Sequence, residues 1–377
     1  MKKNKKSILL IHTSDIKDFP PVLSLLENLI NHHHKVTFIT KDENKMLTIK
    51  SPYLRVINLH PKRYATMMGN LLLHKQYQTW LCALVVRLME THDVLWTTTD
   101  ATVRELGDVV LCYRHVMQLL ELIEDIPLFP YQSVLGLRIE RYAQKAWKVV
   151  VPEYHRAHIQ KTWWHLQSTP VILPNKPYSV LETQKVSPFM DKVIRKMQAE
   201  PRKIVLYQGI FDDDRNLEPY AKAVRLLNDH FCMYIMGKEN DNCTSFLKKF
   251  PEVQYIPFVA PPSHLLITKN ADIGILPYVP IKTFHYSELN ALFCAPNKIY
   301  EYAVCGLPML GSNVPGLAIP FEKYGIGEVC DGNNSFEIAE KLVTLQKRYG
   351  DYQSNCRHFF DSVDLDDIVE RQILEEK

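Results

Sequence analysis

The stretch KIVLYQGIFDDDRNLEPYAKAVRLLN, residues 203–228, carries the reading of the fold. Residues 203–207, apolar after Lys203, make a run of strand length, Gly209 supplies a turn, and residues 217–228 are spaced as a helix. A strand that passes through a glycine turn into a helix is one arm of a parallel sheet, whose strands need crossover connections. Outward from it the alternation continues, with strands at 232–236, 253–257, 273–276, 309–311 and 326–329 and helices at 263–270, 296–305 and 336–348.

The same alternation precedes it. Residues 8–12 predict a strand, and Val22, Leu25, Leu26, Leu29 and Ile30 a helix. Strands follow at 35–40, 54–59, 94–97, 109–113, 148–151 and 171–173, with helices at about 64–90 and 133–147. Pro174-Asn175-Lys176-Pro177 then stops any regular element and marks a hinge. The fold class is α/β, with two Rossmann-like domains: residues 1–178, residues 179–355, and a C-terminal helix at about 356–377 that packs back on the first. A chain of 377 residues suits two such domains.

Composition excludes other classes. With 46% apolar and 23% charged residues the chain is globular, neither disordered nor fibrous. The longest apolar run, residues 80–86, is far short of the roughly 20 residues that span a bilayer, and residues 1–6 carry no cleavage pattern. A cytoplasmic protein is expected. Its eight cysteines form no Cys-x-x-Cys pair and read as small hydrophobes. Residues 1–180 carry 23 Lys and Arg against 15 Asp and Glu, and residues 181–377 carry 22 against 27. The basic first half suits an anionic partner, but its charges are scattered, and no nucleic-acid partner is expected. Within it, residues 67–89 combine apolar runs with His74, Lys75, Arg87, Tyr77 and Trp80, which fits a packed helix or peripheral contact with an anionic membrane. His32-His33-His34 reads as a solvated helix end, since three adjacent residues cannot share a helix face to hold a metal.

Two stretches carry chemistry. In the first, Gly209 lets backbone approach a phosphate and Arg215, near a helix start, can clamp an oxyanion. In the second, Ala295 to Ser312, Pro296 opens a helix whose free amides suit a diphosphate, with Asn297 beside them and Lys298 adding a cation. One turn on, Glu301 can accept from two neighbouring hydroxyls, as a ribose presents.

Residues 295–316 and 207–216, with Leu173-Pro174-Asn175 at the hinge and Ala271 to Tyr278 before the second motif, resemble glycosyltransferase family 4. Its members are retaining enzymes of the GT-B fold, with two facing Rossmann-like domains and a cleft between them. By this resemblance Glu301 corresponds to the second glutamate of the Glu-x7-Glu motif, which holds the nucleotide ribose. Lys298 and Arg215 fall where cations meet the donor diphosphate. The first glutamate of the motif is replaced by Phe293, with Glu288 the nearby candidate to supply its contact. The earlier cation position is Ile210, and the first βα loop, residues 13–21, lacks glycine. Members keep a histidine after the fifth strand, and His115 in Tyr113-Arg114-His115 is the matching catalytic candidate.

The resemblance implies hexosyl transfer from a nucleotide-diphosphate sugar to an acceptor hydroxyl, in bacterial surface polysaccharide (capsule) or glycoconjugate synthesis. The acceptor is a sugar, lipid-linked in some members, so the inner face of the plasma membrane is an expected location. No metal or other cofactor is expected, because amides and cations stabilise the leaving diphosphate. A sugar-nucleotide epimerase and a catalytically silent partner subunit are the competing readings. A nicotinamide dehydrogenase is disfavoured, since no Gly-x-Gly-x-x-Gly follows a predicted strand.

Overall fold

The computed structural model describes residues 5–42, 47, 49–60, 67–127, 136–178, 186–283 and 286–376. It forms two compact units, Met1–Pro174 with Leu365–Lys377, and Asn175–Asp364. The first contains β1 (Ser7–Asp15), β2 (Lys35–Lys41), β3 (Leu54–Asn58), β4 (Val94–Thr98), β5 (His115–Gln118), a two-stranded ribbon of β6 (Ile126–Pro127) and β7 (Gly136–Leu137), β8 (Lys148–Val151) and β9 (Val171–Ile172). Its seven-stranded sheet runs β3-β2-β1-β4-β5-β8-β9. Its pairs are parallel, for instance Ile8 opposite both Val36 and Val94. Ile8–Ile11 and Val94–Trp96 are wholly buried, as expected of strands covered on both faces. The helix Pro20–Asn31 turns Val22, Leu25, Leu26 and Leu29 inward at the spacing read from the sequence.

The second unit contains β10 (Lys203–Gln208), β11 (Phe231–Gly237), β12 (Gln254–Pro257), β13 (Ile273–Leu276), β14 (Met309–Ser312) and β15 (Gly327–Cys330), in the order β12-β11-β10-β13-β14-β15. Strand alternation splits its core in two. Ile204 and Leu206 belong to one apolar cluster, and Val205 and Tyr207 to the other.

Several expectations need correction. The apolar residues 109–113 are not a strand: Gly107, at φ 51, ends the helix Asp100–Leu106, and residues 107–112 tighten into a 3-10 turn. A short apolar run does not by itself distinguish the two, and the true fifth strand begins at His115. The helix expected at 133–147 is Glu140–Lys145, with residues 133–135 outside the described residues, as are 64–66 of the helix expected at about 64–90, which is described as Met67–Met89, and 179–185 beyond the hinge. Return to the first unit begins at Leu365, not at 356; the helix Tyr349–Asp361 belongs to the second unit, where Phe359 stacks on Tyr300. All eight cysteines are free, and Cys112 is exposed.

The histidine run is a solvated end only in part: His33 is exposed, but His34 is not. His34 is 1% exposed; its Nδ1 accepts from the Lys6 amide, so Nε2 carries the proton that meets Glu370 at 2.7 Å. Asp366 accepts from Asn28 and lies 2.8 Å from His32. The acids of the C-terminal segment therefore dock on the end of the helix Pro20–Asn31.

Candidate functional site

Open parallel sheets bind ligands at the carboxyl ends of strands where the strand order reverses. In the second unit that point lies between β10 and β13. Gln208 ends β10 and Gly209 follows at φ 138, a conformation L side chains avoid. A Cβ there would run into Lys298 Cε and stand 2.7 Å from Nζ, so only glycine lets the Lys298 ammonium lie against the strand end.

Lys298 and Glu301 come from the helix Asn297–Val304. Pro296 is its cap residue and Asn297 its first helical residue, one position later than the sequence suggested, and the Pro296 side chain has no oxygen with which to cap the first turn. The Asn175 side-chain amide donates to the Ala295 carbonyl at 2.8 Å and fixes the entry to this helix. Tyr302 anchors it to the sheet. Its hydroxyl donates to Leu206 O and accepts from Gln208 N, and its ring lies against Gly274, where any Cβ would collide with it.

Glu301 is 7% exposed. Its Oε2 accepts from Gln208 Nε2 at 2.6 Å, the Thr268 hydroxyl donates to Gln208 Oε1 at 2.6 Å, and His264 Nε2 lies 3.4 Å from Glu301 Oε1. Burial alone would raise this carboxyl; His264, Lys298 and Gln208 together outweigh it and hold it below the usual carboxylate range. Burial, with the Arg215 cation adding to it, pushes the Lys298 ammonium down to about 8, against the pull of Glu301 and Asp214.

Arg215 sits before the helix Glu218–Leu226 and not in its first turn. It bridges to Tyr278 in backbone pairing, its guanidinium stacks 3.8 Å from the Tyr278 ring, and it is ion-paired with Asp214. Asp213 accepts from Asn242, Asp214 is paired with Arg215, and Asp212 accepts from the Asp213 amide, so each aspartate has its own partner. Glu288 is exposed at the start of the helix Glu288–Leu292, which Phe293 ends. Ile210, next to Gly209, is exposed.

The structure thus gathers Gly209, Arg215, Lys298 and Glu301 around one strand end, with Asn297 preceding Lys298 on the helix. It adds Gln208, Thr268 and His264, which the sequence reading passed over. The signal for them was available: Gln208 directly precedes the glycine turn, and His264 and Thr268 are four apart on one helical stretch.

His115 is elsewhere. It opens β5 opposite Leu95, at the amino end of the first sheet, 1% exposed, with Nε2 hydrogen-bonded to Thr97 Oγ1 at 2.7 Å. It therefore does not stand in a loop after the strand. The histidine toward a carboxyl strand end of that sheet is His12, wholly buried, with Nδ1 2.8 Å from Thr98 Oγ1. Burial pushes His115 down to about 3 from 6.5, so it is neutral in the fold. A depressed histidine contributes stability that is full above pH 6.5 and drains as pH falls toward 3. His115→Ala is expected to cost about 2–5 kcal/mol in denaturant unfolding, the scale of a truncated core side chain. Unchanged stability with a hundredfold slower reaction would return His115 to the chemistry.

Two successive Rossmann-like units are the GT-B architecture, and solved structures agree. Sucrose-phosphate synthase from Thermosynechococcus elongatus is 14% identical, with a TM-score of 0.68 over 98% of this chain and 97% of that one. Anabaena HepE in complex with UDP and glucose is 14% identical, with a TM-score of 0.67 over 98% of each chain. A Listeria monocytogenes structure described as a UDP-N-acetylglucosamine 2-epimerase is 9% identical, with a TM-score of 0.65 over 98% of this chain and 95% of that one. The chain has the GT-B fold. No protein-family model and no curated protein matches its sequence.

Proposed function

We propose that this chain is a glycosyltransferase that takes its sugar from a nucleoside diphosphate donor held by the second unit. The observation that carries this reading is the convergence of Gly209, Lys298 and Glu301 at the end of β10, with uncapped helix amides in front. As the bond from the anomeric carbon to the diphosphate breaks, its electron pair leaves with the phosphate oxygen; Lys298, Arg215 and the amides oppose that charge. The acceptor hydroxyl oxygen bonds the anomeric carbon and its proton leaves to base. Glu301 accepts from the ribose hydroxyls, and the outcome at the anomeric carbon is retention. The acceptor is a sugar hydroxyl of a bacterial surface polysaccharide or glycoconjugate precursor, and the basic first half suits an anionic, lipid-linked one at the inner membrane face. Among the described residues no helix is long and apolar enough to cross a membrane.

The test is a panel of nucleotide sugars, UDP-glucose included because HepE binds it, scored for thermal stabilisation and hydrolysis, with the product anomer assigned by NMR. Ligand at a hundred times its Kd adds about 2.7 kcal/mol of stability. A panel that shifts no melting curve sinks the reading, and an inverted product sinks retention. The epimerase neighbour motivates a second arm: an epimerised nucleotide sugar without transfer would favour that chemistry. EDTA is included in one arm, where transfer is expected to persist.

The pH profile gives a separate prediction. Binding a diphosphate favours protonated Lys298, so its pKa rises in the complex. UDP affinity is therefore full below about 8 and declines as pH rises through it. Lys298→Arg, which stays charged, should flatten the profile. A wild-type profile flat up to pH 9.5, corrected for UDP ionisation, would remove Lys298 from the phosphates.

A further inference from the structure

We infer that Gln208, held by Thr268, is a positioning residue that fixes the plane of the Glu301 carboxylate for the ribose hydroxyls. This rests on the donor-site reading above and goes beyond it, because neither residue follows from the strand-glycine-helix pattern. The orientation of the Gln208 amide is set by chemistry. An ionised carboxylate only accepts, so the group 2.6 Å from Glu301 Oε2 must be the amide nitrogen. That leaves Gln208 Oε1 facing the Thr268 hydroxyl at 2.6 Å, which must donate. The Thr268 oxygen is also 3.1 Å from the His264 carbonyl, one turn earlier, so its single proton points into this corner, toward Gln208 Oε1 as the nearer acceptor and the carbonyl as the farther.

All three side chains are buried, at 0% for Thr268, 3% for Gln208 and 7% for Glu301. A buried carboxylate with one neighbour could turn about its last torsion; one held at Oε2 by an amide that is itself held cannot. The backbone repeats the tie, since Gln208 N donates to Tyr302, the residue after Glu301. Strand end and helix are thus joined twice, and the carboxylate that must accept from two adjacent hydroxyls is set in advance. Preset geometry of this kind is what makes a polar contact worth its full strength in a binding site. The other groups facing Glu301 are His264 from the preceding turn, Lys298 from its own helix, and Cys305 one turn on.

The test uses the full chain and UDP as the probe. Thr268→Val keeps the shape and removes the donor, and is expected to raise the Kd for UDP roughly tenfold, the scale of a hydrogen bond lost from a charged network. Thr268→Ser restores the hydroxyl and should restore most of the affinity. Gln208→Glu gives the distinctive signature. At about pH 5.5 a proton shared by the two carboxylates replaces the amide donor, and near pH 8 both ionise and repel. The ratio of variant to parent Kd, read in a Lys298→Arg background whose cation does not titrate, should therefore grow by about tenfold or more across that range. A purely structural role would shift melting temperature without this pH-dependent ratio. If Thr268→Val and Gln208→Glu bind UDP like the wild type at every pH, whatever their melting temperatures, the positioning role is overturned. If Glu301→Gln also binds UDP unchanged, the donor-site reading has failed with it; if Glu301→Gln alone weakens binding, only the positioning inference falls.

Discussion

Glu301→Ala is expected to raise the Kd for UDP by about a hundredfold and to lower stability at the same time. The affinity term comes from charged hydrogen bonds to two ribose hydroxyls, each worth about 1.5–3 kcal/mol. The stability term comes from what the carboxylate leaves behind: the Gln208 amide and His264 Nε2 lose their partner inside a buried site, at about 1–3 kcal/mol for an unsatisfied group. From sequence alone Glu301→Ala would be expected to spare the fold; the burial of Glu301 reverses that. Glu301→Gln is the better-shaped variant, since its amide oxygen can still receive Gln208. The discriminating measurement is a double-mutant cycle by calorimetry, with the variant on one side and a deoxyribonucleoside diphosphate on the other. If Glu301 touches the hydroxyl, removing both costs less than the sum of removing each. Strict additivity would separate Glu301 from the ribose.

Much of the architecture was legible because it rests on local rules. Buried parallel strands such as Ile8–Ile11 and Val205–Tyr207 appear as apolar runs bounded by polar turns. The helix 20–31 announced itself by spacing, and its proline start agrees. Short runs misled, because Val109, Val110 and Leu111 look the same whether they pair in a sheet or tighten after Gly107. The C-terminal return was readable only in outline. Its exact start depends on Asp366 and Glu370 meeting His32 and His34, partners more than three hundred residues away.

The candidate site divides the same way. Gly209, Asn297, Lys298 and Glu301 stand out in sequence because turn chemistry and a proline-started helix are local signals. Gln208 and Thr268 do not, since a polar residue ending a strand and a threonine on a helix have many ordinary uses, and only the fold brings them within 2.6 Å of each other. His115 failed for the related reason that a register shift of a few residues moves a side chain from one end of a sheet to the other. Reading 109–113 as the strand put His115 after it, and the real β5 puts it first.

Gly209→Ala is expected to weaken UDP binding at least tenfold, with its effect passing through Lys298. Two costs combine. The backbone at φ 138 is strained for any residue with a Cβ, by about 1–3 kcal/mol. The new methyl would also occupy the space of Lys298 Cε and Nζ, and the far end of that flexible side chain yields before the backbone does. The ammonium then leaves the strand end and with it the diphosphate. Three readings on one variant separate these terms. Melting temperature reports the strain. UDP affinity reports the lost cation. The pH profile reports whether the cation was Lys298, because the decline above about 8 should vanish in Gly209→Ala just as it should in Lys298→Ala. Adding Gly209→Ala to Lys298→Ala should then lower stability further while leaving UDP affinity close to that of Lys298→Ala alone. A Gly209→Ala protein that binds UDP as tightly as the wild type and keeps the decline above pH 8 would mean that Lys298 holds the diphosphate from another position, and that the close approach at Gly209 serves packing alone.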